Sequence, residues 1–143
     1  MPLALLMLLA FAIGDACKEL ETGIYVANAT KEWLSPELLP AVVFIISSFI
    51  AFSTGTSWGT FAIMLAISVP MANIHGADLT IVVAATLGGG IFGDHCSPIS
   101  DTSIISSMAS ASDHIDHVKT QLPYALIGGV ISVFLYLIIG FLG

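Results

Sequence analysis

The sequence predicts an all-α membrane protein, and two observations lead to that prediction. Hydrophobic residues make up 57% of the 143 positions and charged residues only 9%, whereas an ordinary soluble domain has about 25% charged residues. Uncharged stretches also recur along the chain at lengths that suit helices in a lipid bilayer. No low-complexity linker divides the chain. We therefore expect residues 1–143 to form a single membrane domain.

The charge balance disfavours a nucleic-acid partner. The formal net charge is −7, and the chain has only three basic residues, all of them lysines. Phosphate binding needs clustered basic side chains, and the lysines are scattered at positions 18, 31 and 119. Three lysines are also too few to orient the chain by the positive-inside rule.

The first uncharged stretch, residues 2–14, would rise about 20 Å as a helix, less than the roughly 30 Å of a hydrocarbon core. No basic region precedes it and no small-residue cleavage site follows, which disfavours a signal peptide. We interpret it as part of a transmembrane helix that begins earlier in a longer parent chain. Residues 15–38 mix charges with Tyr25 and Trp33, and they predict an interfacial loop and a short helix.

Residues 39–72 predict a re-entrant hairpin. They run without a charge, and as one straight helix they would rise roughly 50 Å, which exceeds the bilayer. The glycines at 55 and 59 supply the natural hinge. Two arms of about 13 residues would each rise about 20 Å, too little to cross alone. A hairpin with its tip near the middle of the membrane satisfies both lengths.

Residues 79–111 predict a broken helix. Glycines 88–90, Gly93 and Pro98 lie in its middle and are expected to interrupt the helix, because glycine is permissive and proline removes a donor. The charged segment 112–121 predicts a loop. Residues 122–143 are uncharged and would rise about 33 Å, enough for one complete crossing.

Two interruptions in one chain predict a shared polar site. Unwound backbone in hydrocarbon persists only where protein, water or a bound ion satisfies its polar groups. An acid within the membrane is by default a functional hypothesis, and Asp94 and Asp101 are the two acids at such depth. The hinge adds Gly55, and both segments add hydroxyls, from Ser53, Thr54, Thr56, Ser57, Ser97, Ser100 and Thr102. Close helix packing is the alternative role of such small polar residues.

This chemistry predicts cation transport. Hard cations prefer oxygen ligands, and transporters build such sites from paired discontinuous helices near the bilayer midplane. Burial favours the neutral form of a carboxyl group, whereas an adjacent Na⁺ favours the ionised form. A proton and Na⁺ would then compete for one carboxylate, and competition combined with alternating exposure produces antiport.

Three segments resemble the NhaC-type Na⁺/H⁺ antiporter family of bacterial membranes: STGTSWGT (53–60), GDHCSPISDTSIISS (93–107) and DHIDHVKTQLPYA (113–125). The resemblance covers nearly the whole chain from about Lys18, and it implies the C-terminal portion of a longer, multi-pass transporter in the bacterial plasma membrane. Ala66 departs from the family pattern, since many relatives carry proline there, and this affects only a local kink.

The resemblance also implies an architecture and a cargo. The wider ion transporter superfamily uses inverted repeats, and the chain would form one half, with 39–72 as the hairpin and 79–111 as the broken helix. Residues 53–57 would form one wall of the ion site and residues 94–102 the other, while the N-terminal half would supply the remaining walls. Homodimers are common in the superfamily. Na⁺ and H⁺ would be the transported ions, with no cofactor and no other metal.

Three histidines have two interpretations each. His95 could relay protons beside Asp94, since its ordinary pKa lies near 6.5, or it could hydrogen-bond interrupted backbone. His114 and His117 have a spacing that could hold zinc. Their simpler interpretation is a solvated loop at a helix end.

Three other functions remain open. Relatives that exchange organic acids such as malate and lactate against Na⁺ and H⁺ have similar motifs, although their substrates need a positive group. An intramembrane aspartyl protease is a distant alternative, because two buried aspartates can share a proton. Its GxGD motif, however, needs glycine where Ile91 stands. The third alternative is a truncated product that does not transport.

Overall fold

A computed structural model describes residues 2–142 and, within residues 2–10, the side chains of Leu5, Leu8 and Leu9 only. All regular structure in this range is α-helical, which confirms the predicted all-α class. The range contains seven helices: α1 (Pro2–Glu19), α2 (Thr22–Thr30), α3 (Leu39–Thr54), α4 (Ser57–His75), α5 (Leu79–Cys96), α6 (Asp101–Ala109) and α7 (His114–Leu142).

The first helix continues past the uncharged stretch and includes the charged residues up to Glu19. Alanine, lysine and glutamate favour helix, and an exposed ion pair joins Lys18 Nζ to Asp15 Oδ1 at 3.5 Å. The short helix expected within residues 15–38 is α2. The loop expected there is therefore shorter than predicted, because α1 occupies its first residues.

Helices α3 and α4 form a helical hairpin whose turn consists of Gly55 and Thr56. The turn is narrower than the predicted hinge, since Gly59 lies inside α4. The arms are consequently 16 and 19 residues long. At 1.5 Å per residue α4 rises about 28 Å, close to the thickness of a hydrocarbon core. The prediction that each arm is too short to cross the membrane therefore holds for α3 but not for α4.

Helix α5 runs unbroken through glycines 88–90 and Gly93, so the prediction that these glycines interrupt it is wrong. Two of them form the contact with α3. A Cβ atom at Gly89 would overlap the carbonyl of Phe44, and one at Gly93 would overlap the carbonyl of Ser48. Glycines four residues apart let two helix backbones approach closely. The interruption lies instead at residues 97–100, between α5 and α6.

Helix α7 begins at His114, so most of the charged segment predicted as a loop is helical. Asp113 caps its start, because one carboxylate oxygen accepts hydrogen bonds from the backbone N–H groups of Ile115 at 2.9 Å and Asp116 at 3.1 Å. The helix has 29 residues, about 43 Å, which is longer than a hydrocarbon core.

Helix α4 packs against α1 and α2 on one side of the molecule and against α3 and α5, while α7 packs against α3 and α5. Leu39, Val43, Met64 and Val82 belong to the buried core between these helices. Within residues 2–142, three helices are long and apolar enough to cross a membrane: α4, α5 and α7. Most apolar side chains of α7 are exposed, as expected for a helix that faces lipid or other protein.

Candidate functional site

The turn between α3 and α4 depends on glycine for two reasons. Gly55 has φ 68° and ψ 22°, a left-handed conformation, and its N–H donates to the Ala51 carbonyl at 2.8 Å. This is the common way to end a helix with glycine. A Cβ atom at Gly55 would also lie 2.6 Å from the carbonyl oxygen of Ile99. The turn therefore packs directly against the backbone of the 97–100 segment.

The interruption between α5 and α6 follows from Pro98 and Ser100. Ser97 has ψ 128°, the extended conformation that a following proline imposes. Ser100 then starts α6 as its N-cap, since its Oγ accepts a hydrogen bond from the N–H of Ser103 at 3.2 Å. Ser97 is buried, and its Oγ accepts from the N–H of Ile99 at 3.3 Å. Local chemistry thus stops one helix and starts the next.

Asp94 lies one turn before this interruption, and only 2% of its surface is exposed. Each of its carboxylate oxygens accepts a hydrogen bond from a hydroxyl beyond the break. Ser100 Oγ donates to Oδ1 at 2.8 Å, and Thr102 Oγ1 donates to Oδ2 at 2.9 Å. The two hydroxyl oxygens are themselves 2.8 Å apart. Asp94, Ser100 and Thr102 therefore form a closed ring of three short contacts, which we call the carboxylate ring.

The number of hydrogens in the carboxylate ring differs between an ionised and a neutral Asp94. Three hydrogen bonds need three hydrogens, and each hydroxyl supplies one. An ionised Asp94 therefore leaves one of the three contacts without a hydrogen. A proton on Asp94 supplies the third, and a small cation beside the oxygens would instead offset their negative charge. Thr102 is exposed whereas Ser100 is fully buried, so the ring reaches the surface at Thr102.

Asp101 does not join this ring. It is the first residue of α6 and is partly exposed. Its carboxylate has no hydrogen-bond partner among the side chains and backbone groups that the structure describes. A negative charge in the first turn of a helix is favoured by the helix dipole. Its position therefore has a structural explanation that involves no bound ion.

The hydroxyls of residues 53–57 lie beside the turn but do not contact the Asp94 carboxylate. Ser53 Oγ donates to the Phe49 carbonyl at 2.8 Å, and Thr54 Oγ1 donates to the Ile50 carbonyl at 2.9 Å. Both hydroxyls thus bond within α3.

The last two hydroxyls of this segment are less constrained. Thr56 Oγ1 is buried without a partner within residues 2–142, and Ser57, the first residue of α4, is partly exposed. Thr56 lines a cavity of about 210 Å³ with Ile13 and Ile63, and no residue of 94–102 lines that cavity. From this segment, Gly55 meets the 97–100 interruption directly.

The histidines have separate positions. His95 is exposed, and its Nδ1 donates to the Ile91 carbonyl at 2.9 Å, one turn earlier in α5. His117 is partly exposed on the first turn of α7. Among the described residues, no three His, Cys, Asp or Glu side chains lie together as a metal-binding group.

His114, unlike His95 and His117, contacts the interruption at residues 97–100. Its Nε2 lies 2.7 Å from the Pro98 carbonyl oxygen. Sequence reasoning missed this contact, because the 16 positions between the residues form no local pattern.

The sequence also matches known proteins. Residues 1–141 match the Na⁺/H⁺ antiporter family. The chain belongs to that family. Members of this family are multi-pass membrane antiporters, which removes support for the protease alternative. No solved structure gives a significant match.

Three relatives illustrate the range of the family. The chain is 32% identical to the malate-2H⁺/Na⁺-lactate antiporter of Bacillus subtilis over 78% of this chain and 24% of that protein. It is 33% identical to the arginine/ornithine antiporter ArcD of Halobacterium salinarum, over 76% of this chain and 22% of the relative. It is 30% identical to the Na⁺/H⁺ antiporter NhaC of Alkalihalophilus pseudofirmus, over 75% and 23%. The chain thus spans about a quarter of the length of these relatives.

Proposed function

We propose that the protein containing this chain exchanges Na⁺ for H⁺ across the bacterial plasma membrane, with Asp94 as the carboxylate that binds either ion. The carboxylate ring is the observation that supports this proposal most directly. It places a buried acid and two hydroxyls at the point where a helix is interrupted. Buried polar groups of this kind in a membrane protein commonly mark an ion pathway.

Competition for Asp94 would couple the two ions. A proton on the carboxyl group completes the three hydrogen bonds of the ring. Na⁺ needs the ionised carboxylate and further oxygen ligands, which Ser100, Thr102 and backbone carbonyls of residues 97–100 can provide. Because both ions need the same oxygens, one must leave before the other binds. Such competition produces exchange when the site opens alternately to the two sides of the membrane.

The contact between the two interruptions would couple movement of the α3–α4 hairpin to the geometry of the site. Gly55 packs on the backbone next to Pro98 and Ser100, so a displacement of the α3–α4 hairpin would move the ligands. In our proposal the hairpin is re-entrant, with its turn near the bilayer midplane. Asp101, Ser53, Thr54, Thr56, Ser57 and Ser97 would contribute secondary oxygens in other conformations, with little effect on the affinity for Na⁺, and His95 would relay protons.

The same proposal extends to the rest of the protein. The chain would be one of two inverted repeats, the N-terminal half would complete the site, and two copies would form a homodimer. These arrangements follow from the family resemblance and from the interrupted helices that inverted-repeat transporters use.

Reconstitution of the intact protein in liposomes tests the function. We expect external Na⁺ to dissipate a preformed proton gradient, measured with an entrapped pH-sensitive dye, whereas K⁺ should not. Asp94→Asn should reduce the rate at least about 100-fold, because it removes the only carboxylate of the ring and with it the charge that Na⁺ needs. Asp78→Asn is the matched control. It makes the same chemical change at the exposed N-cap of α5, where asparagine caps as well as aspartate.

Full exchange with unchanged Na⁺ dependence in Asp94→Asn would overturn the assigned role. A loss of the same size in Asp78→Asn would also contradict it, since the effect would then not depend on the carboxylate ring.

Na⁺-coupled exchange of organic acids is the second candidate, favoured by the 32% identity to an antiporter of malate and lactate. Such a substrate would need a positive group. All three lysines of the chain are exposed and lie outside the 53–57 and 94–102 segments, so helix N-termini or other parts of the protein would have to supply it. Addition of malate inside and lactate outside the same liposomes distinguishes the two functions. A proton flux that requires both acids would favour the second.

A further inference from the structure

We propose that His114 is a positioning residue for the carboxylate ring: it holds the 97–100 interruption in the geometry that lets Ser100 and Thr102 reach Asp94. The inference deepens the function proposed above and rests on it, because its clearest readout is the affinity for Na⁺.

The imidazole of His114 connects three parts of the chain. Its Nε2 lies 2.7 Å from the carbonyl oxygen of Pro98, and its Nδ1 lies 3.3 Å from Oγ of Ser107. A carbonyl oxygen only accepts, so Nε2 carries the hydrogen of the first bond. Ser107 belongs to α6 and is 1% exposed. A single side chain at the start of α7 therefore ties the interruption to the body of α6.

The Pro98 carbonyl occupies a sensitive position. Ile99 follows it and packs against Gly55, and Ser100 comes next and donates to Asp94 Oδ1. Among the residues that the structure describes, His114 is the hydrogen-bond donor to the Pro98 carbonyl. An interrupted helix leaves carbonyls without internal partners, and in an apolar environment an unsatisfied carbonyl is costly. Without the imidazole, the Pro98 carbonyl would need another hydrogen-bond donor. Residues 97–100 would then change conformation, and Ser100 would move away from Asp94.

A second histidine provides a matched comparison. His75, the last residue of α4, bonds through Nδ1 to the Met71 carbonyl at 3.0 Å and through Nε2 to Thr30 Oγ1 at 3.4 Å. It thus joins two helices with the same kinds of partner as His114 does. It lies at the opposite end of α4 from the turn, about 27 Å along the helix axis from Ser57. A purely structural role of such bonds should affect both histidines alike.

The test compares His114→Phe, His114→Gln and His75→Phe in the intact reconstituted protein, with membrane abundance measured for each. We expect His114→Phe to raise the KM for Na⁺ about fivefold. This is the usual effect on an equilibrium of losing about one hydrogen bond, here the bond to the Pro98 carbonyl that positions Ser100. His114→Gln should restore most of the affinity, because its amide can still donate to the Pro98 carbonyl. His75→Phe should leave the KM for Na⁺ unchanged, whatever it does to abundance.

An unchanged KM in His114→Phe would overturn the inference, and so would an equal rise of the KM in His75→Phe. If His114→Phe does not accumulate in the membrane, Ser107→Ala decides the question. It removes the Nδ1 partner together with the hydrogen bond from Ser107 Oγ to the Ile104 carbonyl within α6, leaves the imidazole in place, and should raise the KM for Na⁺ by about twofold. An unchanged KM would overturn the inference.

A second readout separates this inference from the proposed function. The Na⁺-dependent rise of the unfolding temperature in detergent reports binding without transport. If the wild-type protein moves no protons but gains stability from Na⁺, the exchange function fails, and a smaller gain in His114→Phe than in His75→Phe still supports the positioning role. Equal gains in the two variants would overturn it.

Discussion

The two helix interruptions of this chain lie against each other but satisfy their polar groups differently. At the α3–α4 turn, the hydroxyls of Ser53 and Thr54 donate to carbonyls of their own helix. At residues 97–100, the hydroxyls of Ser100 and Thr102 reach back across the break to Asp94 on the preceding helix. The hydrogen bonds of the first pair of hydroxyls thus stay within α3, while the buried Thr56 hydroxyl of the turn has no partner within residues 2–142. The second interruption depends on the relative position of two helices.

This difference shows that an interruption alone does not make a site. Both interruptions contain or adjoin serine and threonine hydroxyls, and both leave backbone outside a helix. Of the two, the second brings a buried carboxylate together with donors from beyond the break, so its hydrogen bonds would change if the carboxylate bound an ion. The first serves as a packing surface, with Gly55 against the carbonyl of Ile99. Three sets of variants test this division of roles.

Of these three sets, the one with the largest expected effect lies at the contact between the two interruptions. Gly55→Ala places a Cβ atom against the Ile99 carbonyl and forces alanine into a left-handed conformation. That conformation alone costs about 1–2 kcal/mol. The added overlap should displace residues 97–100 and lower Na⁺-driven proton flux more than about 30-fold, well beyond the conformational cost.

Gly76→Ala is the control for this variant. Gly76 has φ 74°, but a Cβ atom there would meet no atom within 4 Å. It should show the conformational cost in thermal unfolding while Na⁺-driven flux stays normal. Equal flux in the two alanine variants would show that the contact between the interruptions is unimportant.

An intermediate effect is expected within the carboxylate ring. Ser100→Ala and Thr102→Val each remove one hydrogen bond to a carboxylate, an interaction worth about 1.5–3 kcal/mol. Each should raise the KM for Na⁺ by at least about tenfold. Ser53→Ala removes a hydroxyl that bonds only to its own helix, and its KM should change less than about twofold. A reversed order of these effects would assign the ion ligands to the α3–α4 turn.

The smallest effect is expected at Asp101. Asparagine can replace aspartate in the first turn of α6 with a loss of about 0.3–1 kcal/mol in helix stability. Since Asp101 makes no hydrogen bond to the ring in the part of the chain that the structure describes, Asp101→Asn should change the KM for Na⁺ less than about threefold. A loss of exchange comparable to that of Asp94→Asn would make Asp101 a principal ion ligand, equal to Asp94, and would enlarge the site beyond the ring.

Much of the architecture was predictable because it depends on local properties of the chain. Uncharged length and composition are enough to predict the helices that suit a membrane. Pro98 is enough to predict an interruption, since proline constrains the residue before it and lacks a donor. The position of Asp94 next to that interruption, within an apolar stretch, made it the strongest candidate for a functional acid. These inferences need no knowledge of which helices touch.

The sequence could not reveal which glycines interrupt a helix and which serve packing. Gly89 and Gly93 stay helical because α3 lies against them. Glycine by itself is permissive, so the sequence is compatible with a helix or with an interruption at these positions. The helical start of α7 was also missed, since a cluster of charges resembles a loop until Asp113 is seen to cap it.

The sequence by itself therefore determined the class of the protein, the approximate places where helices stop, and the acid beside the second stop. Only the tertiary structure decided that Ser100 and Thr102 close a ring on Asp94, that Gly55 packs on Ile99, and that His114 holds Pro98. Helix length and interruption follow from the conformational and solvation preferences of neighbouring residues. Pairing of donors with acceptors follows from which helices pack together, and that depends on the whole chain.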